Sequence, residues 1–227
     1  MRRLLGPLVF GVIAFLLILG GGVLWTARPG SEAAYRAAEA RIQAAKEEEL
    51  RVLRLRDLGG LGTLPPELGE MGQVIQLDLS GTVIADISVL SGMENLRILT
   101  LRDTLVEDLS PLRGLENLDI LDVSGTWVRD LTPLAEVPRL RRLDIGRTWV
   151  ASLAPLQKAQ ALDWINLHGA VAFDGSQDHM AALAARGVTV NNGRAMVENY
   201  RPGFVQRMRL RFHRLSQRVS LGFATGG

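Results

Sequence analysis

The chain is constrained above all by a six-residue phrase that recurs at a fixed step of 22 residues. In the copy Leu121-Asp122-Val123-Ser124-Gly125-Thr126, apolar and polar residues alternate before a Gly-Thr pair. The first apolar residues of the five copies are evenly spaced, at Leu77, Leu99, Leu121, Leu143 and Ile165. A fixed period of this length is typical of a solenoid, in which each unit buries its apolar face only against its neighbours.

Each unit contains a strand and a short return arm. The alternation of Leu99 and Leu101 with outward-facing residues predicts a half-buried strand. The return arm carries Asp108 and Pro111, and later units carry similar phrases. Proline suits the first turn of a short helix, and a preceding Asp, Ser or Thr can cap its free N–H groups. We expect the aliphatic residues of this arm to face inward and close the coil, namely Val106, Leu109, Leu112 and Leu115.

The pattern Leu96-x-x-Leu99-x-Leu101-x-x-Thr104, followed by Asp-Leu-Ser-Pro-Leu at residues 108–112, resembles the 22-residue leucine-rich repeat of internalin-like bacterial proteins. The resemblance covers about residues 50 to 192. It implies a curved α/β solenoid with parallel strands on the concave face. Two departures stand out: Thr replaces the Asn of many such repeats, and no cell-wall sorting motif appears at the C-terminus. The chain therefore fits a Gram-positive surface adhesin poorly.

The N-terminal segment has the properties of a membrane span. Residues 4–25 contain no charge, and as a helix they would be about 33 Å long, enough to cross the hydrocarbon core. Arg2 and Arg3 precede the segment, and Trp25 ends it where indole rings favour the headgroup region. We predict that residues 1–30 form a transmembrane anchor and a short linker. A cleaved signal peptide is the alternative.

The next segment, residues 31–52, is predicted to contain a helix that runs to about Glu49 and covers the first coil. Ser31 suits the N-cap of this helix, and a narrow apolar face follows at Tyr35, Ala38, Ile42 and Ala45. An exposed solenoid core needs such a cover, although the same face could instead bind a partner. The solenoid itself is predicted over residues 53–193.

Near the far end of the solenoid the register fails after Ala170, and a short helix and a last strand are expected. The acidic and histidine side chains there lack the spacing of a zinc or calcium site, so we predict no metal. Helix capping by Asp174 or Ser176, with Asp178 in the first turn, explains these residues better.

Residues 194–227 form a basic tail with seven Arg and one Glu, whereas residues 31–193 carry 16 basic and 23 acidic side chains. Apolar residues recur in the tail at steps of three and four, which predicts an amphipathic helix. Such a helix suits an anionic membrane surface; docking on the acidic solenoid is an alternative, and nucleic acid is not expected. The predicted membrane-surface residues are Arg207, Arg211, Phe212, Arg214 and Arg218.

Two outward-facing columns are the candidate protein-binding sites. The first runs along the middle of the strands and is polar and mildly acidic: Asp78, Thr100, Asp122, Asp144 and Asn166. The second follows the repeated Thr and is apolar in five successive units: Val83, Leu105, Trp127, Trp149 and Val171. A contiguous apolar strip marks an interaction site, and Trp is favoured at binding hot spots. The alternatives are that a terminal segment of the chain covers this strip or that the rings tilt into the core.

The composition argues against catalysis. The chain has no Cys and three scattered His, and no nucleophile-base-orienter set is apparent. We predict a non-enzymatic scaffold without cofactors, anchored in a bacterial inner membrane and holding a protein partner such as a subunit of a membrane complex. The N-terminus would be cytoplasmic and the solenoid periplasmic. An envelope adhesin or sensor that binds an external ligand on the concave face is the alternative.

Overall fold

The computed structural model describes residues 31–170 and 176–192. It contains a parallel sheet in which all seven strands follow chain order, each pairing with the next. The strands are β1 to β7, at Val52–Arg54, Gln76–Asp78, Ile98–Thr100, Ile120–Asp122, Arg142–Asp144, Trp164–Asn166 and Thr189–Asn191. The five predicted leucine positions pair in register from β2 to β6. The predicted leucine-rich repeat architecture is therefore confirmed.

The return arms fold into short 3-10 helices. The five helices span Pro66–Glu70, Ser88–Gly92, Ser110–Leu112, Thr132–Glu136 and Ala154–Gln157. Acidic side chains ahead of three of them accept a backbone N–H two residues further on, as Asp108 Oδ1 does from Ser110 at 2.8 Å. These bonds satisfy an N–H group at the start of each helix that has no acceptor within the helix. The predicted capping role of these polar residues is thus confirmed.

The core lies between the sheet and the return arms. Leu99 of β3 and Leu101, directly after this strand, are fully buried. The four predicted return-arm residues are no more than 1% exposed: Val106, Leu109, Leu112 and Leu115. Each buried aliphatic side chain contributes about 1.5–3 kcal/mol of hydrophobic free energy. Backbone bonds between coils, such as Leu101 N to Asp122 O at 2.7 Å, hold successive units at one spacing.

The repeated threonine has a defined role inside each turn. Thr82, Thr104, Thr126 and Thr148 are buried. Each hydroxyl donates to the carbonyl oxygen three residues earlier, at 2.5–2.7 Å. The hydroxyl is therefore satisfied within its own turn, which explains how Thr can occupy this buried position.

The residue before each of the four buried Thr, and before Ala170 in the fifth copy, has a positive φ, in the left-handed region. The five positions are Gly81, Asp103, Gly125, Arg147 and Gly169. Asp103 Oδ1 accepts a 2.9 Å hydrogen bond from Arg147 Nη2, so this ion pair crosses the coil between them. A Cβ on Gly125 would lie 2.2 Å from the Asp103 oxygen. The absence of a side chain at Gly125 therefore leaves space for the Asp103–Arg147 ion pair.

The first coil is covered by α1, Glu32–Glu47. Ser31 Oγ accepts from Ala34 N at 3.1 Å, as the N-cap prediction requires. Ala38, Ile42 and Ala45 join the core, and Tyr35 packs against it. This helix occupies only part of the predicted segment 31–52.

Helix α1 ends at Glu47 because the backbone becomes left-handed two residues later. Glu49 has φ 52°. Leu50 N donates to Ala45 O at 2.8 Å, and Glu49 N donates to Lys46 O at 3.4 Å. This pair of bonds is the Schellman cap, with Glu at the position where Gly is usual. Strand β1 then starts at Val52, one residue before the predicted start of the solenoid.

The far end is closed by a second helix, α2, Ser176–Ala185, and by β7. Asp178 lies in the first turn of α2, as expected, and Leu183 is buried. In the part of the chain that the structure describes, no helix is both long and apolar enough to cross a membrane. The predicted span at residues 4–25 lies outside the described residues, as does the predicted basic tail at 194–227.

Candidate protein-binding surface

The apolar strip is built by one backbone contact per coil. The amide of each strip residue donates to a carbonyl of the preceding coil, as Trp127 N does to Val106 O at 3.0 Å and Trp149 N to Val128 O at 3.2 Å. Val83 N and Leu105 N likewise donate to Leu61 O and Ile84 O of the preceding coils. The four residues therefore follow the C-terminal ends of β2 to β5 along one flank of the sheet. Val171 lies outside the described residues.

The strip residues are only partly shielded from solvent. Val83 is 37% exposed, and Leu105, Trp127 and Trp149 are half-buried. The next residues, by contrast, are fully buried: Ile84, Val106, Val128 and Val150. Neither tryptophan belongs to the hydrophobic core of the described residues. This burial pattern disagrees with the alternative in which the rings tilt into the core.

The mid-strand column lies on the outer face of the sheet, with its members paired side by side in register. Its acidic members also hold the turn after each strand. Asp122 Oδ1 accepts from Ser124 N at 2.8 Å, and Asp144 Oδ1 accepts from Gly146 N at 2.8 Å. Asp78 does the same with Ser80 and is itself buried. These side chains thus have a structural role that the sequence analysis did not assign, in addition to any contact with a partner.

The electrostatics of this column are uneven. Burial raises the pKa of Asp122 above its ordinary value, and the neighbouring Asp144 raises it further, against the lowering effect of the Ser124 hydrogen bonds. In the coil after Asp144, the column has an amide, Asn166, in place of a carboxylate. Asn166 Nδ2 donates to both carboxylate oxygens of Asp144 at 3.0 Å. The negative charge of Asp122 is therefore unfavourable in the folded protein.

Apolar side chains also occur on the outer sheet face, one outward-facing position before the mid-strand column in each strand. Ile98 and Ile120 pair on adjacent strands and are half-buried, as is Trp164 on β6. Arg142 separates them and is exposed. These residues were not predicted as a site, although the 22-residue step of the sequence places all four in one column.

A groove runs along the opposite flank, where the strands begin. Its volume is about 440 Å³, and its lining includes three arginines and three carboxamides: Arg51, Arg97, Arg139, Gln73, Asn95 and Asn117. The sequence analysis missed this groove, because its residues come from two staggered rows of the repeat. Alignment of Arg51 with Arg97, and of Asn95 and Asn117 with Arg139, is the signal that would reveal it.

Other predicted residues form no site together. Within the described ranges, no group of three or more His, Cys, Asp or Glu side chains could hold a metal ion. Asp174 lies outside those ranges. The predicted membrane-surface residues, Arg207, Arg211, Phe212, Arg214 and Arg218, lie outside them too, so their role stays a prediction.

Comparison with known proteins supports the fold. The sequence matches no protein-family profile and gives no significant match to a curated protein. A solved structure of internalin C2 from Listeria monocytogenes is 28% identical, with a TM-score of 0.50, and the match covers 61% of this chain and 64% of that one. Internalin F of the same species is 19% identical, with a TM-score of 0.44, over 75% of this chain and 64% of that one.

Less than two thirds of each internalin therefore has a counterpart in this chain. The seven-stranded parallel sheet has the 22-residue step predicted from the sequence. Together with the 28% identity to internalin C2, these features make the described part of the chain a leucine-rich repeat solenoid similar to the Listeria internalins.

Proposed function

We propose that this protein is a non-catalytic scaffold that holds a protein partner through the flank of its solenoid. The observation that carries the proposal is the strip of Val83, Leu105, Trp127 and Trp149, which presents one incompletely buried apolar side chain per coil. Aromatic side chains bring large contact areas at low entropic cost, so they dominate many protein interfaces. The likeness to internalins supports protein binding in general, and the partial exposure of the strip supports this flank as the binding site.

The proposal includes attachment to a bacterial inner membrane. The uncharged residues 4–25 are long enough to span the bilayer as a helix, and Arg2 and Arg3 favour a cytoplasmic N-terminus. The solenoid would then lie on the periplasmic side. The basic tail would contact anionic lipid through Arg207 and its neighbours on the same helical face. A partner within a membrane complex is consistent with this arrangement.

The outer sheet face favours a second candidate function, an envelope adhesin or sensor. Ile98, Ile120 and Trp164 leave apolar surface beside the polar mid-strand column. A repeating surface of this kind suits an extended external ligand. The two functions differ in which surface is essential, the strip or the sheet face.

Site-specific crosslinking in native membranes tests the proposal. A photoreactive residue at position 149 is expected to capture a discrete membrane protein, whereas the same probe at Thr132 serves as a control. Thr132 is exposed on the return arm of the same coil as Trp127, so it samples the same membrane from a different face. Equal crosslinking from both positions would contradict a specific strip interface.

The double variant Trp127→Ala/Trp149→Ala is expected to lose the crosslinked partner and keep the fold. Half-buried rings should reduce the free energy of unfolding by less than about 2 kcal/mol together, whereas each buried Trp would cost about 3–5 kcal/mol. Thermal unfolding and co-purification in mild detergent measure both effects.

The matched control is Ile98→Ala/Ile120→Ala on the outer sheet face. It removes apolar surface from two adjacent coils and should leave partner capture intact. If this control loses the partner while the tryptophan variant keeps it, the sheet-face function is favoured. A large drop in melting temperature for the tryptophan variant would instead mean that the rings act as core.

A further inference from the structure

We propose that the groove along the N-terminal edges of the strands binds an extended acidic peptide segment of a protein partner. This inference goes beyond the proposed function, because the groove and the apolar strip lie on opposite flanks of the sheet. Residues that precede parallel strands line one flank, and residues that follow them line the other. Each surface can therefore be tested without altering the other.

The lining of the groove is rich in hydrogen-bond donors. Arg51, Arg97 and Arg139 contribute guanidinium groups, and no carboxylate lines the groove. Two carboxamides are held in place by the backbone of the preceding coil: Asn95 Nδ2 donates to Gly72 O at 2.8 Å, and Asn117 Nδ2 donates to Glu94 O at 3.0 Å. The two carboxamides, which lie in the turns ahead of the strands, are thus held in fixed positions by the neighbouring coil.

The positive charges of the groove are incompletely matched. Arg97 has a carboxylate partner, Asp119, at 3.8 Å. Arg139 Nη1 donates to Asn117 Oδ1, a neutral acceptor, at 3.0 Å. Among the described residues, the Arg51 guanidinium forms no ion pair or hydrogen bond. Residues 31–193 carry 16 basic and 23 acidic side chains, so two unmatched arginines in one groove contrast with the rest of this surface.

The shape of the groove favours an extended chain over a compact anion. The groove crosses from the coil of Arg51 to the coil of Arg139, four strand spacings or about 19 Å at about 4.8 Å per strand. An extended peptide of about six residues covers that distance at about 3.3 Å per residue. Carboxylates along such a peptide would meet guanidinium groups, which bind them through paired hydrogen bonds.

The test uses fluorescein-labelled hexaglutamate with blocked termini and the full-length protein in detergent micelles at low salt. Arg51→Gln/Arg139→Gln is expected to weaken binding about tenfold, since two charge-assisted contacts are lost. Arg54→Gln/Arg142→Gln is the matched control. It removes the same charge from exposed residues outside the groove and should change the affinity less than about twofold. Both variants retain the basic tail, so its background binding cancels in the comparison.

A second readout locates the peptide. In protein labelled with ¹⁵N-asparagine, the side-chain amide signals of Asn95 and Asn117 should shift on addition of hexaglutamate, while those of Asn166 should not. Equal weakening by the two double variants, or unmoved Asn95 and Asn117 signals, would overturn the groove as the site. Tighter, groove-dependent binding of hexathymidylate would overturn the peptide and point to a phosphate-bearing ligand. Neither result would alter the outcome of the tryptophan experiment.

Discussion

The buried threonine of each turn acts through one hydroxyl group. Thr126 Oγ1 donates to Val123 O at 2.6 Å inside the core. Thr126→Val keeps the shape of the side chain but leaves that carbonyl without the hydroxyl donor, so the free energy of unfolding should fall by about 1 kcal/mol. Urea unfolding measures this change. Thr100→Val, on the half-buried outer sheet face, is the control and should be nearly neutral; equal losses would argue against the hydroxyl bond.

Asp122 gives a prediction whose sign depends on pH. Because its pKa is raised in the folded state, the folded protein holds the proton more tightly than the unfolded chain, whose pKa is about 3.9. Stability should therefore fall as pH rises from near the unfolded-state pKa through the raised folded-state pKa, above which the destabilisation is fully present. Asp122→Asn should raise the melting temperature at pH 7 by on the order of a few degrees.

The fold already accepts the amide at this position in another coil. Asn166 Oδ1 takes a backbone N–H from His168 at 3.1 Å, as Asp122 does from Ser124 at 2.8 Å. The gain of Asp122→Asn should disappear in acid, where both states are protonated. Asp86→Asn is the control, since Asp86 accepts from Ser88 N in the same way but is exposed. A gain at pH 7 of the same size for both variants would exclude burial as the cause.

At the scale of elements, one residue at the C-terminus of α1 has an unfavourable backbone conformation that a substitution can relieve. Glu49 holds a left-handed conformation at φ 52°, which costs a residue with a side chain about 1 kcal/mol. Glu49→Gly should therefore raise the free energy of unfolding by roughly 0.5–1 kcal/mol, measured by chemical denaturation. Glu48→Gly is the control at φ −88° and should lower it, because glycine there brings only chain entropy. A loss in both variants would contradict the cap.

The elements that the sequence predicted well are those fixed by periodicity. Alternation around Leu99 placed β3, and the Asp-x-x-Pro phrase placed the 3-10 helix at Ser110–Leu112. The end of α1 at Glu47 lies within two residues of the predicted end. The left-handed conformation of Glu49 could not be predicted, since Glu at such a position carries no composition signal. The acidic column was predicted as binding surface, whereas its local turn bonds depend on backbone geometry. The groove was missed because its residues meet only after the coils stack.

At the scale of the whole molecule, the register between neighbouring strands is preserved only if a deletion removes one full 22-residue repeat. A variant lacking residues 101–122 joins Thr100 to Val123, so every remaining strand keeps its inward and outward alternation. We expect it to fold with one strand fewer and to unfold cooperatively, as followed by circular dichroism. Removal of residues 101–121 is the control. The slip of one residue would turn buried side chains outward, and folding of this control like the first variant would contradict a fixed register.

The ion pair between Asp103 and Arg147 connects two coils of the solenoid that are not neighbours. In an ordinary solenoid each coil couples only to its immediate neighbours, so unfolding can stop at any boundary. The contact over Gly125 couples coils that are two apart. As an exposed pair it contributes only about 0.2–1 kcal/mol, but a partly unwound intermediate that stops between those coils must break it. Under mechanical tension, separation at either boundary between these coils should therefore cost this additional free energy.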